Sequence, residues 1–147
     1  MSTAILRLLE SVHGHLGALA AVALLHPAIL LWRGRPAGRG ARWSIGLTAL
    51  LTAVAFGGGI LIYADYRRVV KRALFREDMT AGFLFETKEH LALVALCLCL
   101  GAVLPALAKG PEGEGQRRLA ARMFAGAAAL AWLLGALGVW VHSTRGF

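Results

Sequence analysis

Histidines and carboxylates gather in four short stretches of the chain: Glu10, His13 and His15; Tyr63, Asp65 and Tyr66; Glu86, Glu89 and His90; and His142 near the C-terminal end. A neutral imidazole binds metal through one ring nitrogen, and a carboxylate one helical turn away can take the other N–H and fix the tautomer. Glu10 and His13 are three apart and Glu86 and His90 four apart, spacings that put both members of each pair on one helix face. His13 and His15 point about 200° apart on a helix, so one of them faces a shared centre while the other faces lipid or a subunit boundary.

Two site chemistries suit these residues. In the first, His13 or His15 opposes His90 or His142 as axial ligands of one haem b iron. Gly14, Gly17, the run Gly57-Gly58-Gly59, and Gly135 with Gly138 would then leave room for a porphyrin between helices. His90 is the first choice of ligand, and His142 alternates between a ligand and a proton group beside a quinone. In the second, a non-haem iron, zinc or manganese ion takes Glu10, His13, Asp65, Glu86, His90 and His142. Four-helix carboxylate proteins repeat Glu-x-x-His on two helices; Glu10 to His13 matches that spacing and Glu86-Thr87-Lys88-Glu89-His90 does not.

A second haem at His26 finds no imidazole at the matching depth of the other segments, where Leu50, Gly101 and Leu130 fall. His26 is therefore expected to be buried beside Pro27, donating to a carbonyl that the proline leaves free at a mild kink. Cys97 and Cys99, two apart, cannot bridge each other and are expected to be packing residues.

The elements that position these residues follow from composition. The chain has 147 residues, 58% of them hydrophobic and 16% charged, and a mean hydropathy of +0.64. Soluble domains carry about 25% charged residues, and the apolar excess here collects in blocks instead of alternating with charge. A soluble enzyme, a disordered tail and a nucleic-acid partner are excluded, despite a net charge of +8. Four blocks predict membrane-spanning helices over about residues 5–32, 43–64, 87–108 and 119–142, each long enough for a hydrocarbon core of roughly 30 Å. Backbone groups in lipid must pair within the segment, so helices are required. The first block is too long for the core of a signal peptide and is retained in the mature chain.

Short connections, 33–42 and 109–122, make the flanking helices antiparallel neighbours; Pro36-Ala37-Gly38-Arg39-Gly40 and Gly110-Pro111-Glu112-Gly113-Glu114-Gly115 are turn compositions within them. The longer link carries apolar residues at 69, 70, 73 and 74 among arginines and a lysine, which predicts a short amphipathic helix over about residues 66–76 lying among the headgroups. The fold class is thus an all-α, up-and-down transmembrane four-helix bundle with an interfacial helix between its second and third spans, a single domain.

That threading places the start of the first span, the end of the second, the start of the third and the end of the fourth at one face. Ionisable groups near a membrane face the bundle interior when they serve an ion, cofactor or proton path. The positive-inside rule does not orient the bundle. Arg33, Arg35, Arg39, Arg42, Lys109, Arg117, Arg118 and Arg122 on the short-loop face balance Arg7, Arg67, Arg68, Lys71, Arg72, Arg76, Lys88 and Arg145 on the other. The acid-free cluster 33–42 tips the short loops toward the cytoplasm.

Through His13-Gly14-His15-Leu16-Gly17 and Glu86-Thr87-Lys88-Glu89-His90 the chain resembles the small four-helix membrane cytochromes of b type. The resemblance covers architecture and about ten positions, and it implies a multi-pass protein of the bacterial inner membrane that exchanges electrons with quinone. Three functions stand as expectations: a haem b electron carrier; a non-haem metal-binding membrane protein; and a cofactor-free accessory subunit that meets lipid, a second copy of itself or a larger membrane complex through its basic stretch 67–76.

Overall fold

In the computed structural model the described residues are 3–33, 37–111 and 113–144, without the side chain of Thr144. Arg35, Pro36, Glu112 and Arg145, which enter the loop and charge readings above, lie outside them. The elements are α1 (Thr3–Trp32), α2 (Arg39–Tyr66), a π-turn (Arg67–Lys71), α3 (Arg72–Glu77), α4 (Met79–Gly101), α5 (Val103–Ala106) and α6 (Glu114–Thr144), with no strand among the described residues. Four stretches, Thr3–Trp32, Arg39–Glu77, Met79–Ala106 and Glu114–Ser143, are long and apolar enough to cross a membrane.

The helices form a four-helix bundle in which α1 packs along both α2 and α6, α6 packs along α4, and α2 meets α4 over a shorter stretch. At the end with the short loops the core is built of small residues, Ala28, Ala49, Ala102, Ala106, Ala120, Ala121, Ala127 and Ala128, around Leu24, Leu31, Ile45 and Phe124. Alanines let helix backbones approach closely, which is how spans associate where lipid removes the hydrophobic drive. Arg117 is almost fully buried there and donates to the carbonyls of Ala108 and Gly110 at 2.9 and 3.1 Å, groups freed where α5 ends.

Three boundaries depart from expectation, each for a local reason. The segment 66–76 is helical, but it continues α2 instead of turning away from it. Tyr66, Lys71 and Arg72 all keep right-handed helical angles, so Arg39–Glu77 runs as one helix of 39 residues. Its buried face is Tyr66, Val70 and Leu74, which join Ala81, Phe85 and Val141 in a second core.

The chain reverses at Asp78, whose extended backbone ends α3 while its carboxylate accepts from the amides of Thr80 and Ala81 at 2.9 and 3.2 Å. That cap starts α4 at Met79, ahead of the expected position. At the other end α4 stops at Gly101, the residue whose carbonyl would meet the ring of Pro105 four positions on.

The notion of a buried His26 is corrected. His26 is exposed, and its Nδ1 lies 2.6 Å from Ser44 Oγ of α2, not on a carbonyl beside Pro27. Cys99 is buried and Cys97 exposed.

Close packing at the reversal makes a testable demand. A Cβ on Gly82 would sit 2.7 Å from the Phe75 ring, and that ring stands edge-on to Phe83 with centroids 5.5 Å apart. Gly82→Ala is expected to destabilise the protein by about 1–3 kcal/mol, read as a lowered thermal midpoint in detergent, whereas Gly115→Ala, which meets open space, should leave it in place.

Candidate functional site

The start of α1, the end of α2 with its extension, the start of α4 and the end of α6 do come together, and their polar side chains form a network across all four. Lys71 is its pivot. Its Nζ lies 3.1 Å from Glu86 Oε1 and 3.0 Å from Glu89 Oε2, and 5.6 Å from the centroid of the Phe85 ring. Lys88 Nζ is also 5.6 Å from that centroid, so two ammonium groups share one aromatic face system. Phe85 in turn stacks on Tyr66 at 5.3 Å and 9°.

Lys88 is half-buried and points into the bundle, where its Nζ is 3.6 Å from the place a Cβ on Gly138 of α6 would occupy. The carboxylates whose field it feels are Glu10 and Glu89. Glu10 accepts from His142 Nδ1 at 3.2 Å and from the Tyr66 hydroxyl. One atom stands out: Glu89 Oε1 is fully buried and has no hydrogen-bond partner among the described residues.

The imidazoles are placed differently from one another. His13 lies inside, between α1 and α2, and its Nδ1–H donates to the Ala55 carbonyl at 2.9 Å. Its ring fills the notch left by Gly58 and Gly59, with Cε1 3.0 Å from the Cβ position of Gly59. His15 and His90 are exposed, and each donates Nδ1–H to a carbonyl of its own helix, Ser11 at 2.7 Å and Glu86 at 2.8 Å. No two of the four rings share a partner.

The expected orienting pairs also divide. Glu10 serves His142 and Tyr66, and the Glu86 carboxylate serves Lys71. Asp65 pairs with Arg68. Gly14, Gly17, Gly57 and Gly135 border open space, with nothing within 4 Å of an added Cβ.

These positions decide what the site can hold. Among the described residues no three His, Cys, Asp or Glu side chains come together to take a metal ion. For a haem the donor chemistry fits in part. His13, His15 and His90 carry the proton on Nδ1, leaving Nε2 as the lone-pair nitrogen that ligates iron. Of the expected glycines, Gly58 and Gly59 are taken up by the His13 ring itself.

Lys71, Lys88 and Glu89 were not among the expected site residues, yet one signal for Lys88 was present. Ala81, Phe85, Lys88, Ala92, Ala95 and Cys99 recur at spacings of four and three, the stripe of a core-facing helix, and a lysine inside such a stripe marks a cation that must be matched within the bundle.

The fold and this cluster together define an all-helical bundle with four candidate membrane spans and a mixed-charge end that ties them. Comparison with protein-family models, curated proteins and solved structures finds no match for the chain.

The pivot can be tested by coupling. Lys71 is 13% exposed, Glu89 22% and Glu86 43%, so the pair with Glu89 carries more than the pair with Glu86. Lys71→Met is expected to destabilise by about 1–3 kcal/mol by leaving Glu89 unmatched. Adding Glu89→Gln should return part of that loss, a coupling of about 1 kcal/mol in a double-mutant cycle of unfolding in detergent.

Proposed function

We propose that the chain is a multi-pass protein of the bacterial inner membrane that works as an accessory subunit without a cofactor of its own, by engaging anionic lipid through the basic extension of its second span. One observation carries this: Glu10, Glu86, Glu89 and the inward imidazole of the polar end bond other parts of the bundle, while Arg67, Arg68, Arg72 and Arg76 are exposed along the extension, Arg68 with Asp65 as its partner.

A helix of 39 residues is about 58 Å long, roughly twice the hydrocarbon thickness. Its charged end therefore stands at and above headgroup level, as the interfacial segment does in this proposal. Arg67, Arg68 and Arg72 fall within about 10 Å of Asp65 along the axis, close to a Debye length, and each cation there is worth about 1 kcal/mol against an anionic surface.

The expected result is a rise in thermal midpoint when phosphatidylglycerol is added to the detergent-purified protein and little rise with phosphatidylcholine. Replacing the four arginines by Gln should remove most of that difference, as should about 0.5 M salt. Equal response to both lipids, or a response that survives the four replacements, overturns the proposal.

A second function is favoured by the shared Nδ1–H pattern of His13, His15 and His90. In it the chain is a b-type cytochrome in which His13, with His90 or His142, would hold one haem; the haem would supply one-electron transfer toward quinone, and Ala55 and Glu86 carbonyls would keep the imidazoles in the ligating tautomer. An absorption spectrum of protein expressed with haem supplied decides between the two. A Soret band lost in His13→Ala establishes the cytochrome, and its absence, with metal-free elemental analysis, leaves the accessory role.

A further inference from the structure

We propose that the outer face of α1 and α2 at the short-loop end is a seat for one phospholipid, held by the groups every such lipid carries: its phosphate, its glycerol ester and an acyl chain. Two shallow concavities meet there at Trp43. One, of about 490 Å³, is lined by Arg39, Arg42 and Gly46 among others. The second, of about 430 Å³, is lined by His26, Ser44, Leu47 and Leu51 among others.

The order of chemistry along α2 carries the inference. Arg39 opens the helix and Arg42 follows within a turn. Arg42 is held in place through its Nε, which donates to the Ala37 carbonyl at 3.2 Å. The rest of its guanidinium, and all of that of Arg39, has no partner among the described residues, and the stretch 33–42 contains no acid to supply one. Cations left in this way at a membrane edge answer phosphate.

One turn deeper the chemistry changes. Ser44 lies about 5 Å beyond the midpoint of the two arginines along the axis, the reach of a glycerol from its phosphate to its ester. Its Oγ is 2.6 Å from Nδ1 of the exposed His26. When Ser44 donates to Nδ1, Nε2–H is left to donate to an ester carbonyl, and a donor facing lipid is costly unless something there accepts from it. Trp43, 66% exposed, stands between the two levels, where an indole ring is at home. Leu47 and Leu51 continue the wall inward for a chain.

Cation, then hydrogen-bond donor, then aliphatic wall is a phospholipid read from its phosphate inward. Free phosphate lacks the last two groups, and a hydrocarbon chain alone lacks the first two. This contact is separate from that of the basic extension, which lies at the other end of the bundle. It answers groups that phosphatidylglycerol and phosphatidylcholine share, so it adds nothing to the difference between them.

The test uses the full chain in detergent, carrying Trp32→Phe, Trp132→Phe and Trp140→Phe so that Trp43 reports alone, and a phosphatidylcholine brominated near the head of its acyl chain as quencher. Saturable quenching is expected. Arg39→Gln should raise the apparent Kd about tenfold, as loss of one charge-assisted hydrogen bond predicts, and His26→Ala by a smaller factor. Both side chains are exposed, and unchanged circular dichroism confirms that the variants fold. Replacing the four arginines of the extension should leave this Kd in place, so the two lipid contacts hold or fail separately. Quenching that rises linearly without saturation, or a Kd unmoved by both substitutions, overturns the proposal. Equal binding of a brominated fatty alcohol, or displacement of the probe by inorganic phosphate at equal concentration, also overturns it.

Discussion

A charge held inside a helical bundle in a membrane has to find its opposite within the bundle, because neither lipid nor a packed core supplies one. This chain has sixteen cationic and eight acidic residues, so acids are the scarce partner, and their placement governs the architecture of the polar end. Glu10 from α1 reaches α2 through Tyr66 and α6 through His142. Glu86 and Glu89 from α4 reach the extension of α2 through Lys71. Every helix that passes through this end is thereby set in depth against at least one other, and a slip by one turn would strand a carboxylate or an ammonium.

The opposite end reaches order by other means. Its core is mostly alanine, which brings backbones together without specifying register strongly, and the freed carbonyls behind α5 are taken up by the buried guanidinium of Arg117. A close-packed, weakly directional end and a bonded, strongly directional end share one set of helices. The long helix of α2 and its extension follows from that division. It runs on past Asp65 because Tyr66, Val70 and Leu74 bury a further apolar face against Phe85 and Val141, and the arginines of the same segment remain exposed.

The same division bears on the chemistry of the histidines. An imidazole that donates Nδ1–H to a carbonyl is both a well-satisfied structural residue and a ligand-ready one, so hydrogen bonding alone does not separate these roles. Packing does more. His13 is enclosed by Gly58 and Gly59, His142 is committed to Glu10, and His15 and His90 stand outside. Residues that share a level along the bundle axis have in this way been distributed around it, some inward and some outward.

Much of the fold was legible because its cause is local. Blocks of uncharged residues as long as a bilayer is thick dictate helices wherever they occur, and short turns between them dictate antiparallel neighbours. The same reading located the polar end, since an up-and-down path carries Glu10, Tyr66, Glu86 and His142 to one face. The rotation of each helix about its axis was not legible there, and that rotation determines partners. It pairs Glu86 with Lys71 instead of His90, gives Glu10 to His142 instead of His13, turns Lys88 toward Gly138, and leaves His26 beside Ser44 on the outer surface. Spacing along one helix states which residues share a face, but only the packing of helix against helix states what that face meets, because the energy of a buried charge depends on atoms far away in the chain.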